Sequence, residues 1–322
     1  MAEISFENKN LVALAPLAGY TDLPFRTLAK EFGADLTFSE MISSNALIYH
    51  SKRTHKMIQK SPLESPYIVQ IAGSDLKVIK EAVLILNDID GIDGIDLNCG
   101  CPVPKIVSQN SGSALLNDLD LTAKVVETIK KYSKKRYTSV KSRLGFDKKI
   151  AANIAQVCES AGADFITFHG RTRVGKYKAP IDYKEIKEAK EAVKIPVIAN
   201  GDITSLKVAK EVREFTGCDG IMIGRGAVGN PWIFYQIKNN LERVSKEKIK
   251  EIVLRHFDLM IEFYGQKGVG IFRKHLHNYS KGLPNASEFR DSVNRVEDIK
   301  TTRSMIDEFF SKSQSDLFCE SA

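Results

Sequence analysis

Phe165-Ile166-Thr167-Phe168-His169, Pro196-Val197-Ile198-Ala199-Asn200 and Gly220-Ile221-Met222-Ile223-Gly224 are three short apolar runs, each ending in a polar residue or glycine. Runs of this length, with no polar–apolar alternation, suit strands buried on both faces of a parallel sheet. Upstream, the same rhythm marks Leu11–Ala15, Leu36–Glu40, Tyr67–Ile71, Gly94–Asn98 and Thr138–Ser142. Amphipathic stretches separate the runs. Ile150, Ile154, Val157, Cys158 and Ala161, for example, mark one face of a helix. Strand–helix alternation predicts crossover helices. Eight such units fit a (β/α)8 barrel, which typically takes about 250 residues. An open doubly wound sheet fits less well, because no GxGxxG follows the first run.

After Asn240 the rhythm changes. Val253, Phe257, Met260, Ile261 and Tyr264 keep helical spacing, with Ser245 placed to cap the helix. A second helix is expected over Val269–Lys281, closed by Gly282 and Pro284. The chain therefore reads as a barrel over residues 1–242 and a small all-helical domain over 243–322, with a frayed tail SQSDLFCESA.

Apolar residues make up 43% of the 322, enough for a large core, so a disordered chain is excluded. The net charge of +7 favours an anionic partner only weakly, so any RNA contact must come from local patches. Five cysteines, with no CxxC pair, argue for a reducing compartment and against a zinc or iron–sulfur site, so no metal is expected. The first ten residues lack the pattern of a secretory leader, and no apolar run reaches the ~18 residues of a membrane span. A soluble, cytoplasmic, monomeric protein without an obligatory protein partner is expected.

In such a barrel the chemistry gathers at the C-terminal ends of the strands. Those ends hold Ser39 and Glu40, Gln70, Asn98 with Cys101, Lys141 with Arg143, His169 with Arg171, Asn200 with Asp202, and Gly224 with Arg225. Converging, they would line a polar, cation-bearing pocket. The turns Asn200-Gly201-Asp202 and Gly224-Arg225-Gly226 suit phosphate, whose oxygens approach exposed backbone N–H groups. Arg171 and Arg225 would add charge-assisted bonds. Alone, each glycine equally suits a tight turn. Lys141 either reaches an anion in the mouth or snorkels to solvent. Gln70 brackets a planar ring or caps the sheet edge. His169 contacts phosphate or a ring, or is simply packed. Cys101 lies on a loop, whereas Cys99 sits nearer the strand, and a buried inert thiol fits either.

Taken in order, these stretches resemble the tRNA-dihydrouridine synthase family, its bacterial DusB-like branch most closely. They are Ala15–Asp22 with Pro24-Phe25-Arg26, Ser39-Glu40-Met41, Val69–Gly73, Asp96–Pro102, Gly112–Leu116, Val140–Gly145, His169–Arg173, Ile198–Asp202 and Met222–Gly226. Arg273-Lys274-His275-Leu276, Tyr279 and Lys281–Pro284 continue the match in the helical part. The resemblance implies an FMN-dependent oxidoreductase that reduces D-loop uridine in tRNA, with NADPH or NADH reloading the flavin. It assigns FMN to Pro16, Leu17, Ala18, Gln70, Lys141, His169, Asn200, Gly201, Asp202, Gly224 and Arg225. Cys101 would protonate C5 after hydride reaches C6. A thiol suits that task, since it is protonated at neutral pH yet gives up its proton readily. Lys141 would stabilise the anionic end of the reduced flavin. Asn98 would orient substrate or flavin. Two departures stand out: Cys99 places a second thiol near the acid, and the loops Val174–Lys178 and Ile181–Tyr183 lack a tryptophan common in relatives.

Arg143, Arg171, Arg173 and Lys176 fall at the mouth, where they are expected to meet phosphates around an extruded uridine. On the second C-terminal helix, the 100° step puts Arg273, Lys274, His277 and Lys281 on one face, expected to track the tRNA backbone. Two rival readings remain: a flavin reductase of free pyrimidines, against which the basic helical part argues, and a non-catalytic tRNA-binding protein, against which Cys101 and Lys141 argue.

Overall fold

The computed structural model describes residues 3–49, 52–176 and 178–312. Nine strands follow in chain order: β1 (Leu11–Leu14), β2 (Thr37–Phe38), β3 (Ile42–Ser43), β4 (Tyr67–Ala72), β5 (Gly94–Cys99), β6 (Tyr137–Arg143), β7 (Phe165–His169), β8 (Val197–Asn200) and β9 (Gly220–Ile223). All pair in parallel, in the order β1-β9-β8-β7-β6-β5-β4-β2, with β3 also on β4. A bridge between Ala13 and Leu36 and a bond from Leu14 N–H to the Leu36 carbonyl (2.9 Å) bring β1 back to β2 and close the barrel.

One expected strand is interrupted. Over Leu36–Glu40 only Thr37 and Phe38 pair as strand, and pairing resumes at Ile42. The cause is Ser39, whose hydroxyl oxygen accepts the Gln70 N–H (2.9 Å) in place of a backbone carbonyl. The side-chain acceptor satisfies the ladder while freeing the backbone to bulge.

Register sets what faces inward. Leu11, Ala13, Leu36, Phe38, Ile68, Phe165, Ile198 and Met222 belong to one apolar cluster that plugs the barrel. Val12, Leu14, Val69, Leu97, Cys99, Val140 and Phe168 alternate with the inward set and pack in a second cluster with the surrounding helices. The helices begin as their caps dictate. Asp75, Asp118, Asp182 and Ser205 each accept an N–H from the first turn behind them.

The N-terminal rim is tied by a repeated device that the sequence reading missed. Gly33-Ala34-Asp35, Gly91-Ile92-Asp93, Gly162-Ala163-Asp164 and Gly217-Cys218-Asp219 each precede a strand. Each glycine has positive φ, from 62° to 110°, which turns the chain towards the rim. Each aspartate carboxylate then accepts an N–H from the first or second residue of the neighbouring strand: Val12 (2.8 Å), Tyr67 (2.9 Å), Thr138 (2.7 Å) and Val197 (2.7 Å). Beside this rim, the buried Arg26 donates to Glu64 (2.7 Å), which also accepts from Thr37 and from the Ser61 N–H.

Past Asn240 the described chain is helical: Lys246–Tyr264, Lys267–Tyr279, Ala286–Arg295 and Ile299–Lys312. Ser245 caps the first by accepting the Lys248 N–H. The expected helix over Val269–Lys281 starts two residues earlier and ends at Tyr279. These helices share a core with Leu28 of the barrel helix Leu23–Glu31 and with Phe32 at its C-terminal cap, so they dock on it directly. At the junction His275 stacks between Phe25 and Phe272, with His256 and Tyr20 edge-on to it. Among the described residues no helix is long and apolar enough to cross a membrane, and no group of acidic, histidine or cysteine side chains is arranged to hold a metal ion. The tail SQSDLFCESA, with Cys319, lies outside the described residues.

Candidate active site

Above the apolar plug the inward positions turn polar. Asp96 of β5 is fully buried. Its Oδ1 accepts the Ser139 hydroxyl (2.6 Å) and its Oδ2 accepts the Gln70 side-chain amide (2.8 Å). The Gln70 carbonyl oxygen accepts from Asn98 Nδ2 (2.8 Å). Burial pushes Asp96 up to about 6, against the opposing hydrogen bonds and the Lys141 charge. Gln70 is itself fully buried with both ends of its amide engaged. It forms the floor of the mouth rather than an exposed bracket for a ring.

The Cys101 loop rises from this floor. Asn98 Oδ1 accepts the N–H groups of Gly100 (3.1 Å) and Cys101 (2.9 Å). Arg143 Nε donates to the Gly100 carbonyl (2.8 Å), and the Ser113 hydroxyl and N–H both donate to the Cys101 carbonyl. Every backbone polar group of Gly100-Cys101 is thus bonded, and the partly exposed Cys101 thiol is held on a rigid peptide. Cys99 is fully buried on the opposite face of β5, among the residues packed against the helices. Burial drives its thiol well above the usual range. The two neighbouring thiols therefore face different environments, which the sequence left open.

Across the mouth, Lys141 Nζ donates to Asn200 Oδ1 (3.0 Å), and Asn200 Nδ2 donates to the Met222 carbonyl (2.7 Å). Burial first, then the neighbouring Arg143, lowers Lys141 to about 8, so it remains cationic at neutral pH. His169 is pushed down to about 2 by burial and by Lys141, Arg143, Arg171 and Arg225, so its imidazole is neutral there. The Thr167 hydroxyl is buried without a hydrogen-bond partner. It faces inward beside Lys141, its register partner.

Several expected contacts fall elsewhere. Asp202 lies at a positive φ of 40° in the expected phosphate turn, but its carboxylate is clamped by Arg171 and Arg225. The carboxylate thus holds the two arginines side by side next to the turn. Arg143 and Arg171 are buried (3% and 5% exposed). Arg143 donates to the Thr172 and Lys176 carbonyls, and Arg171 to the Ala179 carbonyl. They brace the mouth loops. Arg173 lies over the Phe146 ring (4.9 Å). Lys176 is exposed.

The expected basic face of the second C-terminal helix is partly covered. Arg273 donates to the Val296 carbonyl (3.0 Å) and His277 pairs with Asn294 (3.2 Å), because the helix Ala286–Arg295 and its C-terminal end pack over them. Lys274 reaches the barrel, donating to the Gly19 carbonyl and lying 5.4 Å over the Tyr20 ring. Lys281 alone of the four is exposed. Pro16 and Leu17 are partly exposed and Ala18 exposed at the end of β1. Gly224 faces this segment, since a Cβ there would lie 3.4 Å from Ala15 and 3.8 Å from Leu17. Residues the sequence reading did not single out as site residues include Asp96, Ser113 and Ser139. All were visible as polar side chains in or beside strand-period segments.

The closed barrel is similar in fold to the TcOYE crystal structure with pHBA, at a TM-score of 0.56 and 9% identity, over 79% of this chain and 94% of that one. A Helicobacter pylori protein described as "Probable tRNA-dihydrouridine synthase" is 51% identical over 310 residues, 96% of this chain and 94% of its own length. The tRNA-dihydrouridine synthase B of Pasteurella multocida is 38% identical over 315 residues, 95% of this chain and 94% of its own. The family model described as dihydrouridine synthase matches residues 13–315. The chain belongs to the dihydrouridine synthase family, on its DusB-like side.

Proposed function

We propose that this protein reduces the C5=C6 bond of D-loop uridine in tRNA, using FMN in the barrel mouth and NADPH or NADH as reductant. The observation that carries the reading is the Gly100-Cys101 peptide, bonded at every polar group so that a thiol stands fixed beside a donor-lined mouth. The relatives named for this activity, matched over nearly their whole length, support it.

The inner wall fits a flavin. Lys141 offers further N–H groups beyond its single bond to Asn200, and the Thr167 hydroxyl beside it has no partner in the protein. Pro16, Leu17, Ala18, Lys141, His169, Asn200, Gly201, Gly224 and Arg225 would hold the cofactor, with Gln70 beneath and Asp202 keeping Arg171 and Arg225 in line. A flavin held by these residues would be the source of the hydride that uracil C6 receives. The protein's own task is to hold the base flat in the mouth and to protonate C5. Charge builds on the C5–C4–O4 system as hydride arrives, and the Cys101 S–H neutralises it at C5. Hydride plus this proton account for the two hydrogens gained. Lys141, cationic at neutral pH, would offset charge on the cofactor.

Residues 1–242 would form the catalytic domain and 243–322 a helical domain that helps hold tRNA. Lys176, Lys178 and Lys281 are the exposed cations we assign to phosphates. The protein would act in the cytoplasm as a monomer, with no protein partner required. The test is to purify it, reduce it with NADPH and follow flavin reoxidation on adding tRNA lacking dihydrouridine. Yellow protein reoxidised by tRNA, but not by free uracil or orotate, is expected. Colourless protein, or reoxidation by the free bases alone, would overturn the reading.

A further inference from the structure

We infer that Asp96 is a positioning residue for Cys101, fixing through Gln70 and Asn98 the direction of a hydrogen-bond chain that ends on the Cys101 peptide. This rests on the role proposed above for Cys101.

The direction follows from chemistry. An ionised carboxylate can only accept hydrogen bonds. At neutral pH Asp96 is mostly ionised, since burial raises it only to about 6. Its two oxygens therefore require donors, and Ser139 and Gln70 Nε2 supply them. With its NH2 end committed, Gln70 must turn its carbonyl to Asn98. Asn98 must then present its own NH2, at 2.8 Å. That leaves Asn98 Oδ1, and not its amide nitrogen, facing the N–H groups of Gly100 and Cys101. An amide side chain can flip its ends at little steric cost. Without a fixed charge at one end of the chain, Asn98 would also sample the flipped state. Its N–H groups would then oppose those of Gly100 and Cys101, and two of the bonds holding the acid would be lost. Asp96 is fully buried, so no water competes for the carboxylate.

The idea is tested by moving the charge. Asp96→Asn keeps shape and removes the acceptor-only end. Asn98→Asp puts an acceptor-only group beside the two N–H groups, but opposes the Gln70 carbonyl while Asp96 remains ionised. In the double variant, Gln70 can flip and every group is satisfied with the chain reversed. The same Asp96→Asn change should therefore do harm in the native chain and good in the Asn98→Asp chain.

Wild type and the three variants would be compared by hydrogen exchange at Gly100 and Cys101, by alkylation of Cys101 mapped by mass spectrometry, and by kcat and KM for tRNA. Asp96→Asn is expected to speed exchange at both amides about tenfold and to lower kcat about tenfold, with KM within about twofold. The double variant should exchange more slowly at these amides than either single variant. Unchanged exchange in Asp96→Asn, or a double variant worse than Asn98→Asp, would overturn the inference. Should Asp96→Asn fold poorly, the comparison of Asn98→Asp with the double variant still decides it. Exchange that follows the prediction in a protein unable to reduce tRNA would sink the proposed function while leaving the positioning chain standing.

Discussion

The two ends of the barrel handle their polar groups in opposite ways. At the N-terminal rim, four Gly-x-Asp turns clip neighbouring strands, and an Arg26–Glu64 pair is buried with its remaining partners satisfied. Carboxylates there meet backbone N–H groups or a cation of the fold itself. At the C-terminal mouth, hydrogen bonds run in directed chains that stop at Cys101 on one side and at Lys141 on the other. A buried hydroxyl on Thr167 is left without a partner. At the rim the carboxylates are matched by groups of the fold, so that end contributes stability. The other keeps donors and acceptors for something the chain lacks, so it can contribute function.

Breaking the rim should cost stability and spare the site. Asp164→Ala strands the buried Thr138 N–H and also removes the bond to Lys130. About 3 kcal/mol of stability should be lost, seen as a lower denaturation midpoint with flavin content per folded chain unchanged. Loss of flavin at full stability would blur the division between the ends.

The junction with the helical part offers a smaller effect, set by pH. His275 is buried between aromatic rings and held down to about 3, by burial first and then by Lys274. The folded state keeps it neutral, whereas the unfolded chain protonates it below ~6.5. Its contribution is therefore fully present above that value and lost progressively as pH falls towards 3. Between pH 7 and 5 wild type should lose about 2 kcal/mol more than a His275→Phe variant. Asp96 titrates in the opposite sense but is common to both proteins, so it cancels. Parallel pH profiles for the two would remove His275 from the account.

The smallest effect belongs to the surface. Lys281→Ala should weaken tRNA binding a few-fold and lower its salt dependence by about one ion, while Arg273→Ala should change affinity through helix packing without altering the salt slope. Equal slopes for wild type and Lys281→Ala would release that residue from the RNA-facing surface.

These contrasts also mark what the sequence reveals. Strand positions emerge to within a residue or two, because apolar runs such as Phe165–His169 carry their own signal. The polar strand ends Gln70, Asn98, Lys141 and Asn200 are visible in the letters, and their side chains bond to one another at one end of the barrel. The break at Ser39 is hidden, since it depends on a hydroxyl replacing a carbonyl opposite Gln70. Helical geometry places Arg273 and His277 on one face but says nothing of the helix whose end bonds to them. That the Asp202 carboxylate closes on two arginines is likewise hidden, since Arg171 and Arg225 meet it only in space. Gly-x-Asp occurs seven times in the letters, and nothing in them separates the four that clip strands from the other three. Its meaning needs the register, which sets each carboxylate against a neighbouring strand.

The central claim is that Cys101, and not the adjacent thiol, delivers the proton. Single-turnover dihydrouridine formation should be measured for Cys101→Ala and Cys99→Ala, each carrying flavin and binding tRNA. Cys101→Ala should fall at least about a hundredfold, with Cys99→Ala close to wild type. A Cys101→Ala protein that forms dihydrouridine at the wild-type rate would contradict the account.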